Sequence, residues 1–265
     1  MPEKENSPEI RIKENLEKEN EKLIEANFIE EIDKNHAIVA RNIFKDYEIG
    51  NFIVRAVEDV SLSIYSGEFL VIKGPSGAGK TSLLNLLGGL DSPKSGIIYS
   101  FGVKISDMEE ESLSTWRLLN SGFVFQNYNL ISTLTAEENV MFPMNLSGVE
   151  FKAQRKRALE LLIQMGLKDR REHLPFQLSA GEQQRIAIAR ALANNPPIII
   201  ADEPTANLDK KTSKFIRDLF KDLKNSIRTI IIATHDDYLI NLADTIISFD
   251  DGKIINKEII NNNKN

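Results

Sequence analysis

An α/β fold built on a mostly parallel sheet is predicted for this 265-residue chain, and three observations predict it. The apolar run Phe69 to Ile72 leads through a glycine-rich loop, Gly74 to Gly79, into a leucine-rich helix from Ser82 to about Leu87. Two more apolar runs, Ile198 to Ala201 and Thr229 to Ala233, lack polar alternation, as strands buried on both faces do. Stretches of helical periodicity separate them, which is the rhythm of strands joined by helical crossovers.

The composition sets limits. The length is enough for a full core and one or two domains. Cysteine is absent, which removes disulfides and thiolate metal sites and is compatible with a reducing compartment. No apolar stretch approaches the roughly 18 residues of a membrane span, and the charged N-terminus lacks a signal core. A soluble protein is expected, with any membrane connection made through a partner. The net charge of −6 argues against nucleic acid as the main ligand.

Residues 1–36 carry six Lys/Arg against eleven Asp/Glu, a net of −5. Leu16, Leu23, Phe28, Ile29 and Ile32 sit at helical spacing, but the stripe is thin. A solvated or disordered acidic extension is favoured over a docking arm. Ala37 to Phe44 and Val54 to Ile64 read as two strands turned at Gly50-Asn51, with Val60, Leu62 and Ile64 alternating against polar neighbours.

The loop after Phe69–Ile72 fits G-x-x-x-x-G-K-[ST] in its strand–loop–helix setting. Glycines 74, 77 and 79 let backbone N–H groups turn inward and let phosphate approach, and the next helix N-terminus adds free donors. Lys80 would hold the β- and γ-phosphates, and the Thr81 hydroxyl would ligate Mg²⁺.

Gly88-Gly89 ends that helix, turn residues follow, and Ile97 to Phe101 forms a short strand. Residues 106–121 read as helix. Gly122 to Gln126 reads as a strand ending in an amide. Residues 135–175 carry helical periodicity and insert into the core. Leu178 to Ala193 opens a long helix in which Ser179 and Glu182 have capping-box spacing. Ala180 and Gly181 leave its first N–H groups open to an anion. The run ending Asp202-Glu203-Pro204 delivers two carboxylates at a strand end. Asp202 would sit in the Mg²⁺ shell and Glu203 would polarise water. Thr234-His235-Asp236 follows the next strand, and His235 there could reach a γ-phosphate. Ile246 to Ile255, with Asp251-Gly252, reads as a closing hairpin.

Taken together, these residues closely resemble the ATP-binding-cassette ATPase family, from about Val39 to Lys257. Gly74-Pro75-Ser76-Gly77-Ala78-Gly79-Lys80-Thr81-Ser82 resembles Walker A. Gln126 matches the Q-loop glutamine, Leu178 to Gln184 the signature, and Ile198 to Glu203 Walker B. Asn207-Leu208-Asp209 matches the D-loop, and His235 the switch histidine. Tyr47 stands where the family keeps an aromatic that stacks on adenine. The signature departs from the family at Ala180, where glycine is usual. Phe125 to Leu130 and Leu134 to Val140 resemble the subgroup serving lipoprotein-release, macrolide-export and cell-division permeases.

The resemblance implies a P-loop NTPase core with a mostly parallel sheet, an antiparallel β subdomain and a helical signature subdomain. The cassette would cover residues 37–260, with the helical part at about 127–180 and an Asn-rich tail beyond. ATP and Mg²⁺ are the implied ligands. Glu203, His235, Lys80 and Gln126 would do the chemistry. Thr81, Gln126 and Asp202 would ligate Mg²⁺, and Ser179, Gly181, Glu182 and Asp209 would join the nucleotide site across a head-to-tail dimer. A homodimer on ATP binding, an integral membrane permease and a place on the cytoplasmic face of the membrane follow from the same resemblance. Relatives acting on DNA or ribosomes resemble two fused cassettes or one split by a long coiled coil. A single P-loop and the short stretch from Gln126 to Ser179 disfavour that alternative.

Overall fold

The computed structural model describes residues 35–50, 52–226 and 228–260. The predicted acidic extension and the Asn-rich tail therefore lie outside the described residues, except for Asn35 and His36 at the extension's end. Two sheets are present among the described residues. The six-stranded sheet has the order β10-β9-β3-β8-β7-β6, with β3 at Phe69–Lys73, β6 at Ser121–Val124, β7 at Ile198–Asp202, β8 at Thr229–Ala233, β9 at Thr245–Asp250 and β10 at Lys253–Ile259. Five of these strands run parallel, and only β10 is antiparallel, to β9. The four-stranded sheet is antiparallel, order β2-β1-β4-β5, formed by β1 (His36–Ile49), β2 (Phe52–Tyr65), β4 (Ser95–Ser100) and β5 (Val103–Lys104).

Alternation along β3 shows how one strand serves two cores. Phe69 and Val71 face a core shared with the helices α3 (Ala136–Leu146), α4 (Phe151–Gln164), α5 (Ala180–Ala191) and α6 (Lys210–Lys224). Leu70 and Ile72 face the other side, toward α1 (Lys80–Leu87), α2 (Glu110–Asn120) and the antiparallel sheet. All four side chains are at most 2% exposed, which is why this strand reads as an unbroken apolar run.

Most predicted elements appear, with shifted ends. The β1–β2 hairpin extends past both predicted strands to Ile49 and Phe52. The closing segment is more than a hairpin, because β9 also enters the main sheet beside β3. The predicted 135–175 helical stretch is two helices followed by short 3₁₀ turns at Lys168–Arg170 and Pro175–Gln177. No predicted element covers α6, although Ile216, Leu219, Phe220 and Leu223 are buried at helical spacing. Among the described residues no helix is long and apolar enough to cross a membrane.

Candidate active site at the strand ends

The parallel strands deliver their C-terminal ends to one edge, and four of the five ends contribute a predicted site residue, the fifth adding the turn of the predicted closing hairpin. The Gly74–Gly79 loop follows β3, Gln126 follows β6, Asp202 and Glu203 end β7, His235 follows β8 and Asp251-Gly252 follows β9. They line a cleft of about 790 Å³ together with Tyr47, Ser76, Gly77, Gly79, Lys80, Thr81 and Ser82. Ligand sites outside the carboxyl ends of parallel strands are the rule for open α/β sheets.

The loop itself is shaped by close approaches. Gly79 has φ 96° and a Cβ there would lie 2.1 Å from the Ala56 carbonyl oxygen. At Gly74 a Cβ would lie 1.8 Å from the Phe249 carbonyl oxygen. Only glycine fits either place. The Ala78 carbonyl accepts from Gly252 N–H at 3.0 Å, tying the β9–β10 turn to the loop. Pro75 and Ala78 thus build the loop rather than line its cleft. Lys80 is 8% exposed and donates to the carbonyls of Gly74 (2.6 Å) and Pro75 (2.9 Å), so its ammonium lies over the loop mouth.

Thr81 and Asp202 are 121 residues apart in sequence, yet the Thr81 hydroxyl donates to the Asp202 carboxylate at 2.6 Å. Both are hard oxygen donors of the kind Mg²⁺ accepts. Glu203 follows in a left-handed conformation, φ 45°, pinned by its N–H to the Ala233 carbonyl at 2.8 Å. Such strain in a non-glycine residue costs about 1–3 kcal/mol and collects at functional sites. His235 Nε2 lies 3.5 Å from Glu203 Oε1. Burial raises the Glu203 carboxyl above the ordinary glutamate range, Asp202 adds to the rise, and His235 and Lys80 oppose it without cancelling it. To act as the base expected from the sequence, Glu203 would have to be deprotonated. Turnover is therefore expected to fall with acidification through a pKa above that of an ordinary glutamate, an acid limb that a pH–rate profile of kcat would locate.

Tyr47 and its cross-strand partner Val54 both line the cleft. The Tyr47 hydroxyl donates to Asp91 at 2.9 Å, which holds the ring in place.

Four predicted residues stand apart from this cleft. Ser179 caps α5 in a reciprocal box with Glu182, whose carboxylate accepts from Ser179 N–H at 2.9 Å. Burial pulls the Glu182 carboxyl up, but the Ser179 hydrogen bonds and Arg170 outweigh it and hold it below the usual range. Asp209 caps α6, accepting from Lys211 and Thr212 N–H and from the Thr212 hydroxyl at 2.6 Å. Gly181 packs against that same Thr212, where a Cβ would come within 2.7 Å. The signature helix thus packs against the first turn of α6, the turn that Asp209 caps. Neither end reaches the chain's own P-loop cleft.

Two other residues that shape the site have no site role in the sequence analysis. Asp236 accepts from Thr205 Oγ1 (2.9 Å) and Arg217 Nε (2.8 Å), fixing the turn that presents His235. Gln184, 1% exposed, donates to the Pro204 carbonyl at 3.0 Å, just past Glu203. Neither pattern is visible without the fold, because each joins separate elements.

A strand–P-loop–helix unit with an acidic strand end, a trailing histidine and a separate capped signature helix defines a P-loop ATPase of the ATP-binding-cassette type. Residues 57–206 match the family model described as ABC transporter, and the chain belongs to that family. It is an ATP-binding, ATP-hydrolysing cassette. It is 48% identical over 224 residues to an uncharacterised ABC transporter ATP-binding protein of Methanocaldococcus jannaschii, covering 84% of this chain and 99% of that one. It is 43% identical over 218 residues to the macrolide export ATP-binding/permease protein MacB of Bartonella quintana, covering 82% of this chain but 33% of that much longer protein. A solved dimer of the Methanocaldococcus jannaschii cassette MJ0796, bound to ADP and Pi after hydrolysis, superposes with a TM-score of 0.81 at 42% identity, covering 84% of this chain and 99% of that one.

Proposed function

We propose that this cassette powers a separate integral membrane permease of the lipoprotein-release or macrolide-export type, working as an ATP-closed homodimer on the cytoplasmic face of the membrane. One observation carries the coupling. The loop after β6 has two sides. Gln126 lines the nucleotide cleft, while Phe125 and Asn129 line a second groove of about 690 Å³ beside α3. Phe142 and Leu146 of α3 line the same groove and are 40% and 59% exposed. An apolar groove backing onto the nucleotide loop suits a permease segment that senses the γ-phosphate through Gln126. The permease fused to the related macrolide exporter supports the same reading.

In the proposed cycle the Gly74–Gly79 loop, Lys80 and the α1 N-terminus hold the ATP phosphates. Thr81 and Asp202, with Gln126 nearby, would hold Mg²⁺, which would neutralise charge on the phosphates. Among the described residues no group of three or more His, Asp or Glu gathers to bind an ion alone, so phosphate and water would complete the shell. Glu203 orients and deprotonates the attacking water, and His235 steadies the γ-phosphate charge. The partner's α5 supplies the N–H groups behind Ser179 and Gly181, and its Asp209 loop lies alongside. That division explains why these residues stand away from the cis cleft. The solved dimer of a related cassette supports it.

Pull-down from a detergent extract tests the partner. An integral membrane protein that stimulates ATP turnover is the expected catch; ribosomes or DNA without one would overturn the proposal. Phe142→Ser should abolish the stimulation while the isolated cassette keeps its turnover. Ala180 is exposed on the first turn of α5, where its methyl crowds the approach of the partner's nucleotide. Ala180→Gly is expected to hold or raise turnover in a steady-state ATPase assay, and a clear fall would show that the methyl serves the contact.

A further inference from the structure

Helix α5 touches three parts of the machinery. Its N-terminus carries Ser179 and Gly181, its middle residue Gln184 grips the carbonyl after Glu203, and near its C-terminal end stands Arg190. The Arg190 guanidinium donates through Nη2 to the Tyr128 carbonyl at 2.9 Å and through Nη1 to the Asn129 carbonyl at 2.6 Å. Those two carbonyls are consecutive, and both residues are left-handed, φ 61° and 48°. Tyrosine resists that conformation, so the loop needs an outside hold to keep it. Arg190 forms no ion pair among the described residues, and burial alone lowers its pKa. A charge desolvated without a carboxylate is costly. Here it is spent on the backbone just past Gln126.

We propose that Arg190 is a positioning residue: its two-pronged grip locks the Gln126 loop to the signature helix, so that the glutamine serving the cis nucleotide and the signature serving the trans nucleotide move as one body. The planar fork matters, because its two Nη donors are held rigidly in one plane, whereas an ammonium is a point charge on a flexible stem and holds a pair of carbonyls less firmly. Asn139 completes the hold from the other side, accepting from Ile131 N–H at 2.9 Å and donating to the Ile131 and Leu134 carbonyls. The inference rests on Gln126 serving the reaction, and the test separates the two.

Two measurements on the full chain decide it. Amide hydrogen exchange is read at Tyr128, Asn129 and Ile131, whose N–H groups are hydrogen-bonded within the loop or to Asn139. In Arg190→Met exchange there should quicken about tenfold or more while the rest of α5 stays protected, and Arg190→Lys should fall between. Steady-state turnover should drop about 10- to 100-fold in kcat with little change in KM for ATP. Combined with Gln126→Ala, the loss should be far less than the product of the two single losses, as expected of residues acting through one another. Unchanged loop exchange, or quickened exchange with unchanged kcat, overturns the positioning role, as do losses that simply multiply. If Gln126→Ala alone leaves turnover intact, the failure lies in the reading of Gln126, and the exchange data still judge the grip. Should Arg190→Met fail to fold, Arg190→Lys, which keeps the charge and the stem, carries both measurements.

Discussion

Glu203→Gln is expected to lower ATP turnover by about 10²–10⁴-fold, the range that a positioned general base contributes, and to leave an ATP-loaded dimer that persists. The amide is close in shape to the carboxylate, so the left-handed turn at φ 45° and the backbone bond to Ala233 should survive. What disappears is the proton acceptor and the negative charge beside Asp202. Burial already makes that charge costly, so its removal should not destabilise the closed state, and closure should tighten. Size exclusion with ATP and Mg²⁺ reads the dimer directly. A variant that stays monomeric under those conditions would count against a site shared between two cassettes.

Lys80→Ala attacks binding instead of chemistry. A hydrogen bond to a charged group contributes about 1.5–3 kcal/mol, and about 1.4 kcal/mol is tenfold in affinity. Loss of the ammonium from the phosphate cradle should weaken ATP by about 10- to 100-fold. A second effect adds to the first. Lys80 also bridges the Gly74 and Pro75 carbonyls, so the empty loop loses a brace. Calorimetric titration of ATP measures the change. Unchanged affinity would show that the loop does not hold the phosphates as assigned. The two variants differ in kind, since Glu203→Gln should keep nucleotide and Lys80→Ala should lose it.

Much of the site was legible because its signals are local. The glycine spacing at 74, 77 and 79, the capping pair Ser179 and Glu182, and acids at the end of an apolar run each act over a few residues. The structure bears out the capping box in full, with both reciprocal bonds present. Helix α6 lies outside the predicted elements, although its buried positions Ile216, Leu219, Phe220 and Leu223 follow a helical period. The reach of the β1–β2 hairpin was underestimated because its tip lacks an apolar–polar alternation: Phe52, Ile53 and Val54 are all exposed.

From the sequence alone came the identity of the parts and their order: a phosphate-turning loop, a capped helix start and strand-borne carboxylates. Each depends on backbone conformation and side-chain chemistry within one turn or one strand. Only the tertiary structure decided which parts meet. Thr81 finds Asp202 across 121 residues, Arg190 finds the Tyr128 and Asn129 carbonyls, Asp236 finds Arg217, and Gly181 finds Thr212. Strand order and helix packing set those meetings, and both follow from burying apolar faces across long stretches of chain, which no local pattern encodes.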